Sequence, residues 1–103
     1  MYRATTPTHT FTLPMLPTEC DVIQVAYKQG GASLVKKYQD NTLPSGMNFD
    51  DHDVLITLTQ EETNLFKQGR AQAQIRVLYG GKALASQKMN VSVFDVINEE
   101  ILS

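Results

Sequence analysis

Residues 53–93 carry the pattern that most restricts how this chain can fold. In residues 53–58 and 71–79, apolar and polar side chains alternate with a period of two. That period places one side of a β-strand on a core and the other toward solvent. Thr-Gln-Glu-Glu at 59–62 fits the capping box of a short helix, and Gly-Gly at 80–81 leads into a returning strand. The order strand, helical turn, strand, turn, strand predicts the closing half of an antiparallel sandwich.

The start of the chain predicts an edge strand over residues 8–13. His9, Phe11 and Leu13 alternate with three threonines, so one side of the strand is largely apolar and the other is polar. Prolines precede and follow the segment. Because proline cannot donate a ladder hydrogen bond, it suits the ends of an edge strand.

Residues 22–29 and 32–38 predict a hairpin around Gly30-Gly31. Glycine adopts the positive φ angles that a two-residue turn needs. Such a turn places Tyr27 opposite Leu34, Ile23 opposite Tyr38, and Lys28 opposite Ser33, so that apolar meets apolar and polar meets polar.

The second Gly-Gly pair predicts a different register. A two-residue turn there would set Tyr79 opposite Lys82 and mix the two faces of the sheet. Pairing Tyr79 with Ala83, Val77 with Ala85 and Ala73 with Met89 keeps the apolar faces together. We therefore expect an odd-length loop or a bulge around residues 80–82.

These segments predict one all-β domain spanning residues 1–103. The expected fold is an antiparallel immunoglobulin-like β-sandwich of about six or seven strands, with one short helical turn near residues 60–67. Leu65 and Phe66 are expected to anchor that turn, and Gly69 to end it in a left-handed conformation.

Composition excludes several classes of protein. The 103 residues include nine Lys and Arg against eleven Asp and Glu, a formal net charge of -2. Nucleic-acid binders usually carry a basic surplus, so no nucleic-acid partner is expected. No apolar run suggests a membrane span or a signal peptide. Cys20 is the single cysteine and cannot form an internal disulfide, so we expect the chain to fold in the cytoplasm.

Candidate chemistry in the sequence is sparse. Residues 50–53, Asp-Asp-His-Asp, could offer oxygen and nitrogen ligands to a cation, but they lack calcium-loop spacing, and a solvated turn is the favoured interpretation. Cys20 has no basic neighbour to activate it, and neither His9 nor His52 belongs to a hydrolase motif. We therefore predict no catalytic residue, no metal site and no cofactor. The question of a cation at residues 50–53 stays open.

Two segments predict contact with other proteins. An edge strand can accept a strand from another chain, and an apolar arm can pack on a neighbour or form a short helix. The expected interface residues are Thr8, Thr10, Thr12, Val96, Ile97, Ile101 and Leu102. A further exposed face, polar but not strongly charged, is expected to be ordinary solvated sheet or a wet contact: Gln72, Gln74, Arg76, Ser86, Lys88 and Asn90.

Several stretches together resemble a family of small proteins. They are TTPTHTFTLP at the start, LTQEET followed by LF, AQIRVL, and a Gly-rich hairpin leading to a V-x-V strand. Over residues 3–102 they are similar to uncharacterised structural proteins encoded in phages and prophages of Gram-positive bacteria. The strand-helix-strand-hairpin half is also similar, more loosely, to the N-terminal β-sandwich module of phage baseplate upper proteins.

The resemblance implies a non-enzymatic virion structural protein, in the tail or baseplate, that contacts other virion proteins or copies of itself. It would be made in the cytoplasm, join the virion and be homo-oligomeric in the assembly. The alternative is a ligand- or carbohydrate-binding module for host recognition. That function needs exposed aromatic rings, but Tyr27, Tyr38 and Tyr79 fall on expected core faces and the chain has no Trp.

Overall fold

The computed structural model describes residues 1–86, 88–98 and 100–102, and their fold is all-β. Most of its strands have the alternation of apolar and polar side chains that the sequence predicts. The strands are β1 (Thr8–Thr12), β2 (Val22–Gln29), β3 (Ala32–Gln39), β4 (Met47–Asp50), β5 (Asp53–Thr57), β6 (Gly69–Tyr79), β7 (Lys82–Ala85) and β8 (Met89–Val93). A 3-10 turn covers Pro17–Glu19, and one helical turn, α1, covers Gln60–Thr63.

The strands form two antiparallel sheets. The smaller sheet has the order β1-β5-β4, and the larger has the order β3-β2-β6, with β7 and β8 both paired to β6. The helical turn α1 carries the chain from β5 to β6, as the predicted order of strand, helical turn and strand requires. At the N-terminus, residues 1–3 run parallel to the end of β8 through the Tyr2–Phe94 bridge, outside the larger sheet's strands.

The core contains the inward-facing residues of both sheets. Val54 and Ile56 of the smaller sheet share one buried cluster with Ile23, Val25 and Tyr27 of the larger. These five side chains are all 0% exposed. Their sequence spacing of two follows from the pleat, which sends alternate side chains to the same face.

The first hairpin has the predicted register. Tyr27 lies opposite Leu34, Ile23 opposite Tyr38, and Lys28 opposite Ser33. Gly30 has a φ of 54°, which a residue with a Cβ adopts only under strain.

The register predicted at the second Gly-Gly pair is wrong. Tyr79 lies directly opposite Lys82 across a two-residue turn, and Val77 lies opposite Leu84. The predicted pairing of Ala73 with Met89 is nevertheless present. The additional residue therefore lies further along the chain, between Ala85 and Met89.

Ser86 explains how the sheet accommodates that additional residue. Its amide donates to the Ile75 carbonyl at 3.0 Å, while the Ile75 amide donates to Ser86 Oγ at 3.3 Å. The Gln74 side chain donates to the Ser86 carbonyl at 2.7 Å. Side chains thus satisfy the backbone groups that a shift in register leaves unpaired. As a consequence all of β7 is exposed, and the expected core positions Ala83 and Ala85 are not in the core.

The predicted capping box is confirmed, but the helix is shorter than expected. The Glu62 amide donates to Thr59 Oγ1 at 3.1 Å, and the Thr59 amide donates to Glu62 Oε1 at 2.9 Å. The helix ends at Thr63, so Gly69 does not terminate it and instead begins β6. Phe66 is fully buried as predicted, whereas Leu65 is exposed.

Strand β4 was not predicted, because only four residues carry its alternation. Its start depends on Gly46, which has a φ of 84° and whose carbonyl accepts from the Thr57 amide at 2.7 Å. A Cβ at this position would overlap the Thr57 carbonyl oxygen. The close approach of two backbones therefore requires glycine there.

An ion pair joins β3 to α1 near the start of β4. Lys36 points inward from β3, and its Nζ lies 2.6 Å from Glu62 Oε2. Burial raises the pKa of Glu62, but hydrogen bonds from Lys36 and Thr59 outweigh that effect, so the pKa lies below its usual value. Glu62 is therefore ionised at neutral pH and both caps α1 and neutralises Lys36.

Replacing Lys36 by Met should lower the free energy of unfolding by about 2 kcal/mol, because the partly buried Glu62 carboxylate loses the charge-assisted hydrogen bond from Lys36. The double variant Lys36→Met/Glu62→Gln should lose less, since no unpaired charge remains and Gln still supports the capping box. Ionised Glu62 stabilises the fold above pH 4.5, and the contribution disappears as the pH falls through its lowered folded-state pKa. Urea unfolding at pH 7 and pH 3 checks both points; equal losses for single and double variants at pH 7 contradict the account.

Candidate functional site

Among the described residues the smaller sheet has two free edges, on β4 and on β1, and β1 is the edge strand that the sequence predicts. β1 pairs with β5 on one side, and no strand in the described part of the chain pairs with its other side. The Leu13 amide donates to the directly opposite His52 carbonyl at 2.9 Å, and the Leu58 amide to the Pro7 carbonyl at 3.0 Å. In an antiparallel ladder such bonded positions alternate with positions whose amide and carbonyl point away. In β1 the backbone amides and carbonyls of Thr8, Thr10 and Thr12 therefore point away from β5.

Threonine side chains hold this edge in register. Thr8 Oγ1 lies 2.8 Å from Thr57 Oγ1, and Thr12 Oγ1 donates to Asp53 Oδ1 at 2.6 Å. Both contacts join residues directly opposite one another on β1 and β5. The hydroxyls are thus used within the sheet, while the backbone groups of the same residues remain directed outward. The predicted edge strand is confirmed, with bounds Thr8–Thr12.

On its inner side β1 is anchored by His9 and Phe11. His9 Nδ1 lies 2.7 Å from the hydroxyl of Tyr27, which is fully buried and comes from the larger sheet. Burial, followed by the charge of Glu62, raises the pKa of Tyr27, so its hydroxyl stays protonated. Burial also lowers the pKa of His9, and the positive N-terminus lowers it further. A neutral imidazole therefore faces a neutral phenol across the sandwich.

The apolar tail is the second predicted contact segment, and most of it is exposed. Val96 is half-buried, Ile97 is fully exposed, and Ile101 and Leu102 are also classed as exposed. Its described residues form no helix, and docking on a neighbour stays a prediction. The Gln60 side chain holds the end of the segment through two bonds to the Leu102 backbone, at 2.8 and 2.7 Å. Glu99 and Ser103 lie outside the described residues.

An exposed aromatic pair lies next to the tail. The Tyr2 and Phe94 rings are 5.3 Å apart and are 57% and 47% exposed. The sequence pattern did not place either ring in a site. Phe94 could have been found only by knowing that residues 1–3 run beside β8.

The carbohydrate-binding alternative depends on where the other aromatic rings lie. Tyr27 and Tyr38 are buried as predicted. Tyr79 is 37% exposed, so its assignment to the core is wrong. The two-residue turn places Tyr79 at the far end of β6, whereas Tyr2 and Phe94 adjoin the opposite end, near Gly69. The exposed tyrosines are therefore separated, and a stacking platform would have to be built from Tyr2 and Phe94 alone.

Residues 50–53 form the turn between β4 and β5. Asp50 lies opposite Asp53, and Asp51 has a φ of 53°. His52 Nδ1 lies 3.3 Å from Asp51 Oδ2. Among the described residues, no group of three or more His, Cys, Asp and Glu side chains is arranged to hold a metal ion. The segment is a hairpin turn with a local concentration of negative charge.

Cys20 is buried directly before β2. Burial raises the pKa of its thiol, and the charges of Asp21 and Glu19 raise it further. The thiol is therefore largely protonated at neutral pH, in line with the absence of a basic neighbour in the sequence.

The outer face of the larger sheet is more basic than the sequence predicts. Arg76, Gln24 and Lys37 lie directly side by side on β6, β2 and β3. Lys28 and Lys88 flank Gln72 on the same face, and Arg70 lies opposite Ser92. The expected residues Gln72, Gln74, Arg76, Lys88 and Asn90 do share this face. The cations from β2 and β3 were missed, because only the strand order brings them next to β6.

Comparisons with protein-family models, with curated proteins and with solved structures found no match to this chain. Across the residues that the structure describes, there is no helix with the length and apolar character that crossing a membrane requires.

The neutral state of His9 should make the stability of the fold sensitive to mildly acidic pH. Below pH 6.5 the unfolded chain takes up a proton that folded His9 resists, so stability should fall as the pH drops toward the lowered folded-state pKa. His9→Gln removes this titration and keeps a polar partner for Tyr27. Thermal melts from about pH 7.5 to 5 should show a shallower decline for the variant, by up to about 1.4 kcal/mol per pH unit. His52→Gln, in the exposed turn, is the control; an unchanged slope in His9→Gln contradicts the assignment.

Proposed function

We propose that this protein is a non-enzymatic structural component of a phage or prophage particle, in the tail or baseplate region. It acts through contacts with copies of itself or with neighbouring virion proteins. The observation that carries the proposal is the free edge of β1, whose three outward-pointing threonines present unpaired backbone groups. The virion context comes from the sequence resemblance alone.

The edge suits docking because the fold secures it from behind. The Phe11 side chain is buried, and His9 is bonded to Tyr27, so a strand added to β1 meets a rigid template. A peptide that adds to a sheet edge gains main-chain hydrogen bonds, and its alternate side chains enter adjacent pockets. An apolar groove lies at the C-terminal end of β1. Its lining includes Leu13, Met15, Ile75, Val77 and Leu84.

The tail supplies apolar area at the opposite end of the domain. Ile97 and Leu102 expose side chains that would be covered on contact with a neighbour, and Tyr2 and Phe94 extend the same surface. Apolar surface that is buried on association stabilises a complex by roughly 25 cal/mol for each Å². The groove and the tail thus lie near opposite ends of β1 and can serve two different contacts.

Thr10→Pro should weaken self-association without unfolding the domain. The Thr10 amide points away from β5, so proline removes no hydrogen bond of the sheet but prevents the amide from pairing with an added strand. Thr10→Val, which keeps the amide, is the control. Analytical ultracentrifugation over a concentration series should show at least a tenfold loss of affinity for Thr10→Pro, equal to about 1.4 kcal/mol.

Deletion of residues 96–103 provides the second arm of the same experiment. It should also reduce association while leaving a single cooperative melting transition, because the described part of the tail adds little to the core. A wild-type chain that stays monomeric at the highest concentration and binds no virion protein contradicts the proposal. If Thr10→Pro self-associates as strongly as Thr10→Val, the β1 edge is not the self-association contact.

A further inference from the structure

The two sheets carry opposite charge. No Asp or Glu occurs in β2, β3, β6, β7 or β8, although the chain has eleven acidic residues. No Lys or Arg occurs in β1, β4 or β5. Acidic side chains are thus confined to the smaller sheet and the connections, which the net charge of -2 conceals.

The outer face of the larger sheet holds the exposed cations. We call it the basic face and define it by Lys28, Lys37, Arg70, Arg76 and Lys88, all of them exposed. These residues make no ion pair within the described part of the chain. Gln24, Gln72 and Gln74 lie among them and add amide groups that can bond to carboxylates. The five cations of the basic face repel one another, and anions that approach from outside relieve that repulsion.

The outer face of the smaller sheet is its counterpart. We call it the acidic face and define it by Asp50 and Asp53, with Asp51 in the adjoining turn. Asp50 and Asp53 lie directly opposite each other, which is unfavourable for two like charges. The remaining outward residues are uncharged, among them Thr8, Thr10, Thr12 and Asn48. This face therefore favours contact with a positively charged surface.

We propose that the basic face of one copy docks on the acidic face of a second copy. This inference rests on the proposed function and adds a contact between faces to the contacts at the β1 edge and the tail. The faces lie on opposite sides of the sandwich, so each contact leaves one basic and one acidic face available. Such a contact is heterologous, and repetition produces a head-to-tail stack or a ring. Contact between two basic faces would instead bring five cations toward five cations.

The charges favour a second copy over a nucleic acid. Proteins that bind single strands usually stack bases on aromatic side chains. The strands of the basic face have no outward aromatic ring, and the exposed Tyr2–Phe94 pair lies beyond them, at the Gly69 end of β6. The acidic face of a second copy supplies the carboxylates of Asp50, Asp51 and Asp53, always at the same concentration as the basic face itself.

Neutralising either face should abolish stacking, and mixing the two variants should restore one contact. Lys37→Gln/Arg76→Gln keeps the acidic face, and Asp50→Asn/Asp53→Asn keeps the basic face and the acceptor for Thr12. Sedimentation velocity should show association at least tenfold weaker than wild type for each variant alone, and association restored through one face-to-face contact in the equimolar mixture. Raising the salt from about 0.05 M to about 0.5 M should weaken wild-type association at least tenfold.

Charge changes away from the faces provide the controls. Lys67→Gln/Lys82→Gln and Glu19→Gln/Glu61→Gln alter the net charge equally and should associate like wild type. Melting curves confirm that each variant is folded. Face variants that associate like wild type overturn the inference, as does a mixture that stays monomeric or a control that loses association equally.

The outcomes also separate this inference from the function on which it rests. If wild type associates and only Thr10→Pro or the tail deletion weakens it, the charged faces are not the contact and the proposed function stands. If wild type is monomeric at every concentration, both fail. Binding of a single-stranded DNA oligonucleotide that Lys37→Gln/Arg76→Gln abolishes, with self-association unchanged, assigns the basic face to polyanions and overturns the inference.

Discussion

The Lys36–Glu62 ion pair is the interaction on which the arrangement of the two sheets most depends. A buried ammonium must be neutralised, and here its partner is the carboxylate that also caps the turn between the sheets. The Lys36 Nζ also lies beside Gly46, where β4 begins. One pair thus connects β3, α1 and the start of β4. Losing Glu62 alone would leave the buried Lys36 ammonium without its counter-charge.

The hydrogen bond between His9 and Tyr27 is the second polar link across the core, and it determines how β1 is presented. β1 is held from the inside, through a neutral imidazole and the buried Phe11, and from one side, through β5. Its other side has no strand among the described residues. An edge that is rigid but unpaired is suited to accept a strand, whereas a mobile edge would first have to be ordered.

Parts of the candidate site were predictable from local pattern, and parts were not. Alternation between two prolines identified Thr8, Thr10 and Thr12 as an edge, because both signals lie within eight residues of sequence. The exposed apolar tail was predictable from composition. The basic face was not, since Lys28, Lys37 and Arg76 lie far apart in sequence and become neighbours only through the strand order β3-β2-β6. The Tyr2–Phe94 pair depends on a parallel contact between the two ends of the described chain.

By itself the sequence determined the all-β class, the inward and outward faces of most strands, the first hairpin register and the capping box. Each of these follows from interactions among residues close in sequence. The tertiary structure alone decided the additional strand β4, the early end of α1 and the place of the irregularity in the last hairpin. The alternation in residues 53–93 correctly predicted one additional residue in the last hairpin. The prediction placed that residue at Gly80-Gly81. The register change falls between Ala85 and Met89 instead, where the Ser86 hydroxyl accepts from the Ile75 amide, while the glycines complete a tight turn.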